Sequence, residues 1–141
     1  MQNPTAPSAA LTAALQEARR AEKEQALFYR SLAAAAEDRG DEALSERFNG
    51  LHADEQHHLS RLTARLLELG ASPDDVSALR SGEPDLEGWE SASREREAEE
   101  VRRYEALLGL DADGATEGLL REILETERHH AEELGGKWTL A

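Results

Sequence analysis

The chain has no cysteine, which excludes disulfides, thiolate nucleophiles and every cysteine-ligated metal or redox centre. Aromatic residues make up only 4% of it, and the surplus of alanine, leucine and glutamate favours helix over sheet. Basic residues are outnumbered, with 16 Lys and Arg against 30 Asp and Glu. The net charge of -14 argues against a nucleic-acid backbone or an anionic membrane as partner. No apolar run is long enough to span a bilayer. The first stretch, MQNPTAPSAA, lacks the basic and apolar regions of a secretory signal, so a cytoplasmic protein is expected. A length of 141 residues suits one domain with a substantial core.

What is present is helical patterning. Pro4 and Pro7 mark residues 1–8 as a loose arm, with Ser8 as an N-cap. A first apolar stripe runs Leu11, Leu15, Ala18, Glu22, Gln25, Tyr29, Leu32, Ala36 and stops near Gly40. Asp41 caps a second, with Leu44, Phe48, Leu51, Glu55, His58, Leu62, Leu66 and Leu69, which stops at Gly70. Ala71–Gly88 breaks the pattern with Pro73, Gly82, Pro84 and Gly88, and has room for one short helical turn capped by Asp74. A third helix starts around Trp89 and carries Ser93, Glu97, Glu100, Tyr104 and Leu107. A fourth follows Asp111–Gly114 with Leu120, Ile123, Glu127, His130 and Leu134. Short loops make helices one and two, and three and four, antiparallel neighbours. The long connection reaches about 60 Å when extended, enough to cross a helix end to end. The expected architecture is therefore an all-α four-helix bundle over residues 9–138 with one long crossover between helices two and three. The alternative is a pair of helical hairpins exchanged between two chains.

The stripes contain ionisable groups that an apolar face should exclude. Each helix places a glutamate there, at Glu22, Glu55, Glu97 and Glu127, and two of them add a histidine at the i+3 position, His58 and His130. Residues so spaced share a helix face and can reach one ion. The halves of the chain also repeat each other, since Glu22 precedes Tyr29 by the same interval that separates Glu97 from Tyr104, and these are the only two tyrosines. A lone buried Glu–His pair is more often structural. Four glutamates and two histidines in a doubled pattern are not readily placed by chance. Buried together, four carboxylates repel strongly unless cations intervene. Two divalent ions balance them, with neutral imidazoles completing the shell. An oxygen-rich site without thiolates points to iron or manganese, in one or both positions. The neighbouring His57 and His129 fall about 100° off the stripe and read as surface or interface residues rather than ligands.

These residues resemble the ferritin-like di-iron carboxylate proteins, and within them are most similar to rubrerythrins. The likeness lies in AEKEQALFY (Ala21–Tyr29), ADEQHH (Ala53–His58), EAEE (Glu97–Glu100) and TERHH (Thr126–His130), and covers nearly the whole chain. The resemblance implies that Glu22 and Glu97 bind one metal each and that Glu55 and Glu127 bridge or chelate the pair. It also implies that Glu100, one turn after Glu97, binds one iron as the oxidation state changes. The matching position after Glu22 is Gln25. Without cysteine, the chain lacks the rubredoxin domain of rubrerythrins proper and is of the erythrin type, so electrons must come from an external donor.

The expected function is a peroxidase-type di-iron oxidoreductase, using two iron ions per chain to reduce hydrogen peroxide or dioxygen. Tyr29 and Tyr104 are candidates to hydrogen-bond the carboxylates or relay an electron, beside the plainer role of core tyrosines. One alternative is ferroxidase or iron-handling activity, with or without storage. Only GGKWTLA follows the fourth helix, whereas cage-forming ferritins usually continue into a fifth, so a closed cage is less expected. A second alternative is a metal-stabilised interaction module. Leu27, Phe28 and Leu59 flank the stripes and suggest a second contact face, hence a homodimer.

Overall fold

The computed structural model describes residues 8–134; residues 1–7 of the arm and the GGKWTLA tail lie outside them. Four helices make up the described chain: α1 (Ala9–Asp38), α2 (Glu42–Glu68), α3 (Trp89–Leu108) and α4 (Gly114–Leu134). Their ends follow the capping residues. Ser8 accepts from the Leu11 N–H at 3.0 Å, Asp41 from Leu44 at 3.1 Å and Asp113 from Thr116 at 3.1 Å. Gly40 and Gly70 take positive φ, 80° and 84°, a conformation open to glycine at little cost. The N–H groups that follow close Schellman motifs, Asp41 to the Ala36 carbonyl and Ala71 to the Leu66 carbonyl, each at 2.9 Å.

α1 packs on α2 and α3, and α4 on α2 and α3. Cross-links fix the directions. Along α1 and α2, Ser45 bonds the Ala33 carbonyl and Arg19 bonds Thr63. Along α2 and α4, Arg47 meets Glu133, Arg61 meets Glu122 and Arg65 meets Asp113. α1 and α3 are also antiparallel, with Gln25 and Tyr29 beside Glu97 and Glu22 beside Tyr104. The order is up-down-down-up, which requires the expected crossover. Its first residue, Ala71, packs on one apolar cluster, while Leu86 near its end packs on the other. No exchange of hairpins is needed to complete the bundle.

The crossover contains no helix. In place of the turn expected behind Asp74, one hydrogen-bonded turn joins Leu79 N–H to the Val76 carbonyl at 3.2 Å, with the Asp75 carboxylate accepting from Ser77. Asp74 is instead tied through its backbone: its N–H donates to Gln16 and its carbonyl accepts from Arg19. Proline and glycine at the far end leave no uninterrupted run for a helix to propagate.

The core is split in two. Leu11, Leu15, Ala18, Leu62, Leu66, Tyr104, Leu107, Leu119, Leu120, Ile123 and Leu124 pack at one end. Tyr29, Leu32, Ala33, Ala36, Phe48 and Leu51 pack at the other, covered by Phe28, Leu86 and Trp89. The charged stripe positions form the layer between, and one tyrosine borders it from each side. Leu27, Phe28 and Leu59 are half-buried within the chain, and the Arg96 guanidinium lies 4.1 Å over the Phe28 ring. Among the described residues, no helix is long and apolar enough to cross a membrane.

Adjacent leucines give a direct check on the core. Leu66 is fully buried whereas Leu67 is 59% exposed. Leu66→Ala should cost about 2–5 kcal/mol through transfer and cavity terms, and Leu67→Ala no more than about 0.5 kcal/mol. Urea midpoints of the two variants, measured under one metal condition, test the difference.

Candidate metal centre

Every stripe glutamate and histidine is buried. Glu22, Glu55, Glu97 and Glu127 are fully buried and His58 and His130 nearly so. They converge into two interlocking groups, Glu22, Glu55, His58 and Glu127 on one side and Glu55, Glu97, Glu127 and His130 on the other. Within each group the candidate ligand atoms all lie within 4.8 Å of one another. His58 Nδ1 sits 3.6 Å from both Glu22 and Glu127 and 3.8 Å from Glu55. His130 Nδ1 sits 3.4 Å from Glu127, 3.5 Å from Glu97 and 3.6 Å from Glu55. The two groups share Glu55 and Glu127.

Hydrogen bonding divides the glutamates into two kinds. Glu22 Oε1 accepts from the Tyr104 hydroxyl at 2.7 Å. Glu97 Oε1 accepts from the Tyr29 hydroxyl at 2.8 Å and from Gln25 Nε2 at 3.2 Å. Each of these carboxylates keeps one buried oxygen, Oε2, without a partner; Glu55 and Glu127 keep both. His58 Nδ1 and His130 Nδ1 are likewise unpartnered. Buried polar atoms ordinarily find a hydrogen bond, and leaving one unmade costs about 1–3 kcal/mol. Here nearly all the orphans of the described chain point into one layer; Ser93 Oγ is the exception outside the acidic and histidine set. This donor set fits a pair of divalent ions: one oxygen from each outer glutamate, two from each shared glutamate, one nitrogen from each ring.

The tyrosines cross between helices. Each hydroxyl reaches the glutamate of the neighbouring helix, Tyr29 to Glu97 and Tyr104 to Glu22, rather than the glutamate two turns away on its own. The antiparallel α1–α3 packing makes this possible. Burial and the nearby carboxylates hold both phenols well above their ordinary proton affinity, so each acts as a neutral donor.

Glu100 is buried beside this layer but outside both groups. Its Oε1 is paired with Arg103 at 2.5 Å, and its Oε2 has no partner. Burial, reinforced by Glu22 and Glu127 against the opposing Arg103, pushes its pKa up to about 9. His57 and His129 are exposed as expected, with His129 paired to Glu133 at 3.0 Å.

Two features escaped the sequence reading. Asp54, next to Glu55 but off the stripe, reaches across to α4, where its Oδ2 lies 2.8 Å from His130 Nε2. Arg96 donates to Gln25 Oε1 at 3.1 Å, which turns the Gln25 amide so that its nitrogen faces Glu97. Both contacts join residues distant in the chain, and no single-helix projection contains them. The only local signal was the acid immediately before the Glu-x-x-His pair.

Without metal, protons must neutralise the layer. Burial and the facing carboxylates raise Glu55 well above the ordinary carboxylate value. Burial raises Glu127 to about 7 although His130 opposes it. Burial depresses His130, but Asp54, Glu127 and Glu97 outweigh it and push the ring up to about 12. All these groups bind protons more tightly in the folded chain than in the unfolded one. Stability from them is therefore complete below about pH 4.5 and is lost as pH rises. The melting temperature of the metal-free protein should fall steadily from about pH 5 to pH 9, at about 1.4 kcal/mol per pH unit for each extra proton held. Metal displaces those protons, so the loaded protein should lack this decline. Thermal melts of both forms across that range test the sign.

No curated protein matches the chain at a significant level. The ferritin-like domain family matches residues 12–138, a span that takes in α1 from Thr12 onward, the other three helices and every residue of the layer. Its members include ferroxidases and di-iron oxidoreductases, and the buried carboxylate and histidine groups are compatible with a di-iron site. The chain belongs to the ferritin-like family.

Proposed function

We propose that the protein is a di-iron oxidoreductase of rubrerythrin-like type that reduces hydrogen peroxide or dioxygen. The observation that carries this reading is the paired ligand group sharing Glu55 and Glu127, with an additional buried carboxylate, Glu100, at its edge. Glu22 with His58, and Glu97 with His130, would each complete one metal position. A ferrous pair held by these residues would supply the two electrons that, with two protons, convert hydrogen peroxide to two waters. Tyr29 and Tyr104 hold the outer glutamates by one oxygen and keep the other turned inward. Glu100 keeps Oε2 unpartnered while Arg103 holds Oε1. The flanking apolar clusters exclude bulk water from the layer. A chain without cysteine takes its reducing electrons from an external donor.

Purified protein should carry two metal ions per chain, chiefly iron, by elemental analysis. Glu55→Ala or Glu127→Ala should strip metal from both positions, because each residue belongs to both groups. Glu100→Gln should retain two ions yet slow peroxide decay by the reduced protein about 10–100-fold, the range for residues that tune a metal site. Unchanged peroxide decay in Glu100→Gln, with an unchanged spectrum of the oxidised protein, would refute the rubrerythrin-type reading. Oxidation of added ferrous ion by dioxygen, without peroxide turnover, would favour ferroxidase activity instead.

A further inference from the structure

The centre has a near two-fold repeat: Glu22 answers Glu97, Tyr104 answers Tyr29, Glu55 answers Glu127 and His58 answers His130. The repeat fails at the residue that precedes each Glu-x-x-His pair. On α2 this is Asp54, whose Oδ2 lies 2.8 Å from His130 Nε2. On α4 it is Thr126, whose hydroxyl turns back to its own helix and donates to the Glu122 carbonyl at 3.2 Å. Among the described residues, His58 Nε2 has no hydrogen-bond partner to match.

The difference bears on metal binding. A ligating imidazole whose outer N–H is held by a carboxylate has its tautomer and ring orientation set and its ligand nitrogen made more basic. For His130 this leaves the proton on Nε2 and the Nδ1 lone pair facing Glu55, Glu97 and Glu127. Glu97 is also the better restrained outer glutamate, accepting from both Tyr29 and Gln25, whereas Glu22 accepts from Tyr104 alone. His58 lines an open cleft of 330 Å³ with His57, Arg61, Glu122 and Thr126. Glu100, near Glu22 and Glu127, belongs to neither ligand group and is tied to Arg103 through Oε1.

We propose that the two metal positions are unequal, that the Glu97–His130 position fills first, and that Asp54 is the positioning residue that makes it the tighter one. This inference rests on the paired-metal reading above. Asp54 touches no ligand oxygen and acts only through the His130 ring.

The test is a zinc titration of the metal-free full-length protein, followed by calorimetry and by nitrogen-15 NMR of the histidine rings. In the unaltered protein, the His130 ring signals should move with the first equivalent and the His58 signals with the second. The bound state should show His130 protonated at Nε2. Asp54→Asn and Asp54→Ala should weaken the first step about 10–100-fold and merge the two steps, while Thr126→Ala leaves both affinities in place. The Asp54 side chain is 51% exposed, so its loss should leave the fold intact, which circular dichroism verifies. Two equivalents bound with His58 responding first, or both rings responding together, would overturn the inference while sparing the paired-metal reading. So would an unchanged first step in both Asp54 variants. Fewer than two equivalents bound would defeat the paired-metal reading itself, and this inference with it.

Discussion

Four carboxylates meeting in the dry interior of a helical bundle impose a condition on everything around them: their charge must be neutralised where they stand. Burial alone costs several kcal/mol per unpaired charge, and at this spacing each carboxylate adds to the cost of the others. The neighbouring chemistry is arranged around that condition. The tyrosine hydroxyls and the Gln25 amide each satisfy one oxygen of an outer glutamate. None of them supplies a positive charge to the shared pair Glu55 and Glu127, whose four oxygens remain unpartnered. Protons can meet the condition, as the raised affinities of Glu55 and Glu127 indicate. Divalent cations would meet it while also satisfying the orphaned lone pairs.

The up-down-down-up order follows from the same centre. In a simple up-down-up-down ring, α1 and α3 would lie on a diagonal, and so would α2 and α4. The crossover makes each of these pairs adjacent. Adjacency lets Tyr29 reach Glu97 and Tyr104 reach Glu22, and it lets Asp54 reach His130. The long Ala71–Gly88 connection is thus more than a spacer. It brings the glutamate–tyrosine helices together on one side and the Glu-x-x-His helices together on the other. The antiparallel direction within each pair then sets a polar layer between two apolar clusters, each sealed at its inner face by a tyrosine ring.

Much of this was legible in the sequence because helical periodicity is a local property. The stripe Leu44, Phe48, Leu51, Glu55, His58, Leu62 is a statement about one helix, and burial of the last five follows once that stripe faces a core, with Leu44 half-buried at the helix start. Gly40 and Gly70 marked helix ends because positive φ favours glycine. Even Glu97, on the shortest helix, kept its register. The contacts between helices were not legible. The Tyr29–Glu97 pairing, the Asp54–His130 pairing and the Arg96–Gln25–Glu97 chain depend on helix direction and axial offset, which periodicity does not encode. The crossover turn failed for another reason. Asp74 and Asp75 are equally good caps in composition, and the choice was decided by Gln16 and Arg19 on α1, which engage the Asp74 backbone.

The repeat between the halves of the chain is close where the six buried glutamates and histidines of the layer are concerned and broken just outside them. Gln25 stands opposite Glu100, and Asp54 opposite Thr126. Both breaks favour the same side: Gln25 and Asp54 hold Glu97 and His130, while Glu100 is tied to Arg103 and the His58 ring faces a cleft. An interior this closely packed does not deform continuously, so a reaction that needs ligand movement must confine it to side chains with somewhere to go. Glu97, with one oxygen held by two donors, is the more restrained of the two α3 acids, whereas Glu100 keeps Oε2 unpartnered beside its Arg103 pair. On the proposed reading, one metal position is held rigid and the other is left able to change its ligands. The asymmetry costs the inner set nothing, because all of it lies outside the six residues that converge on the layer.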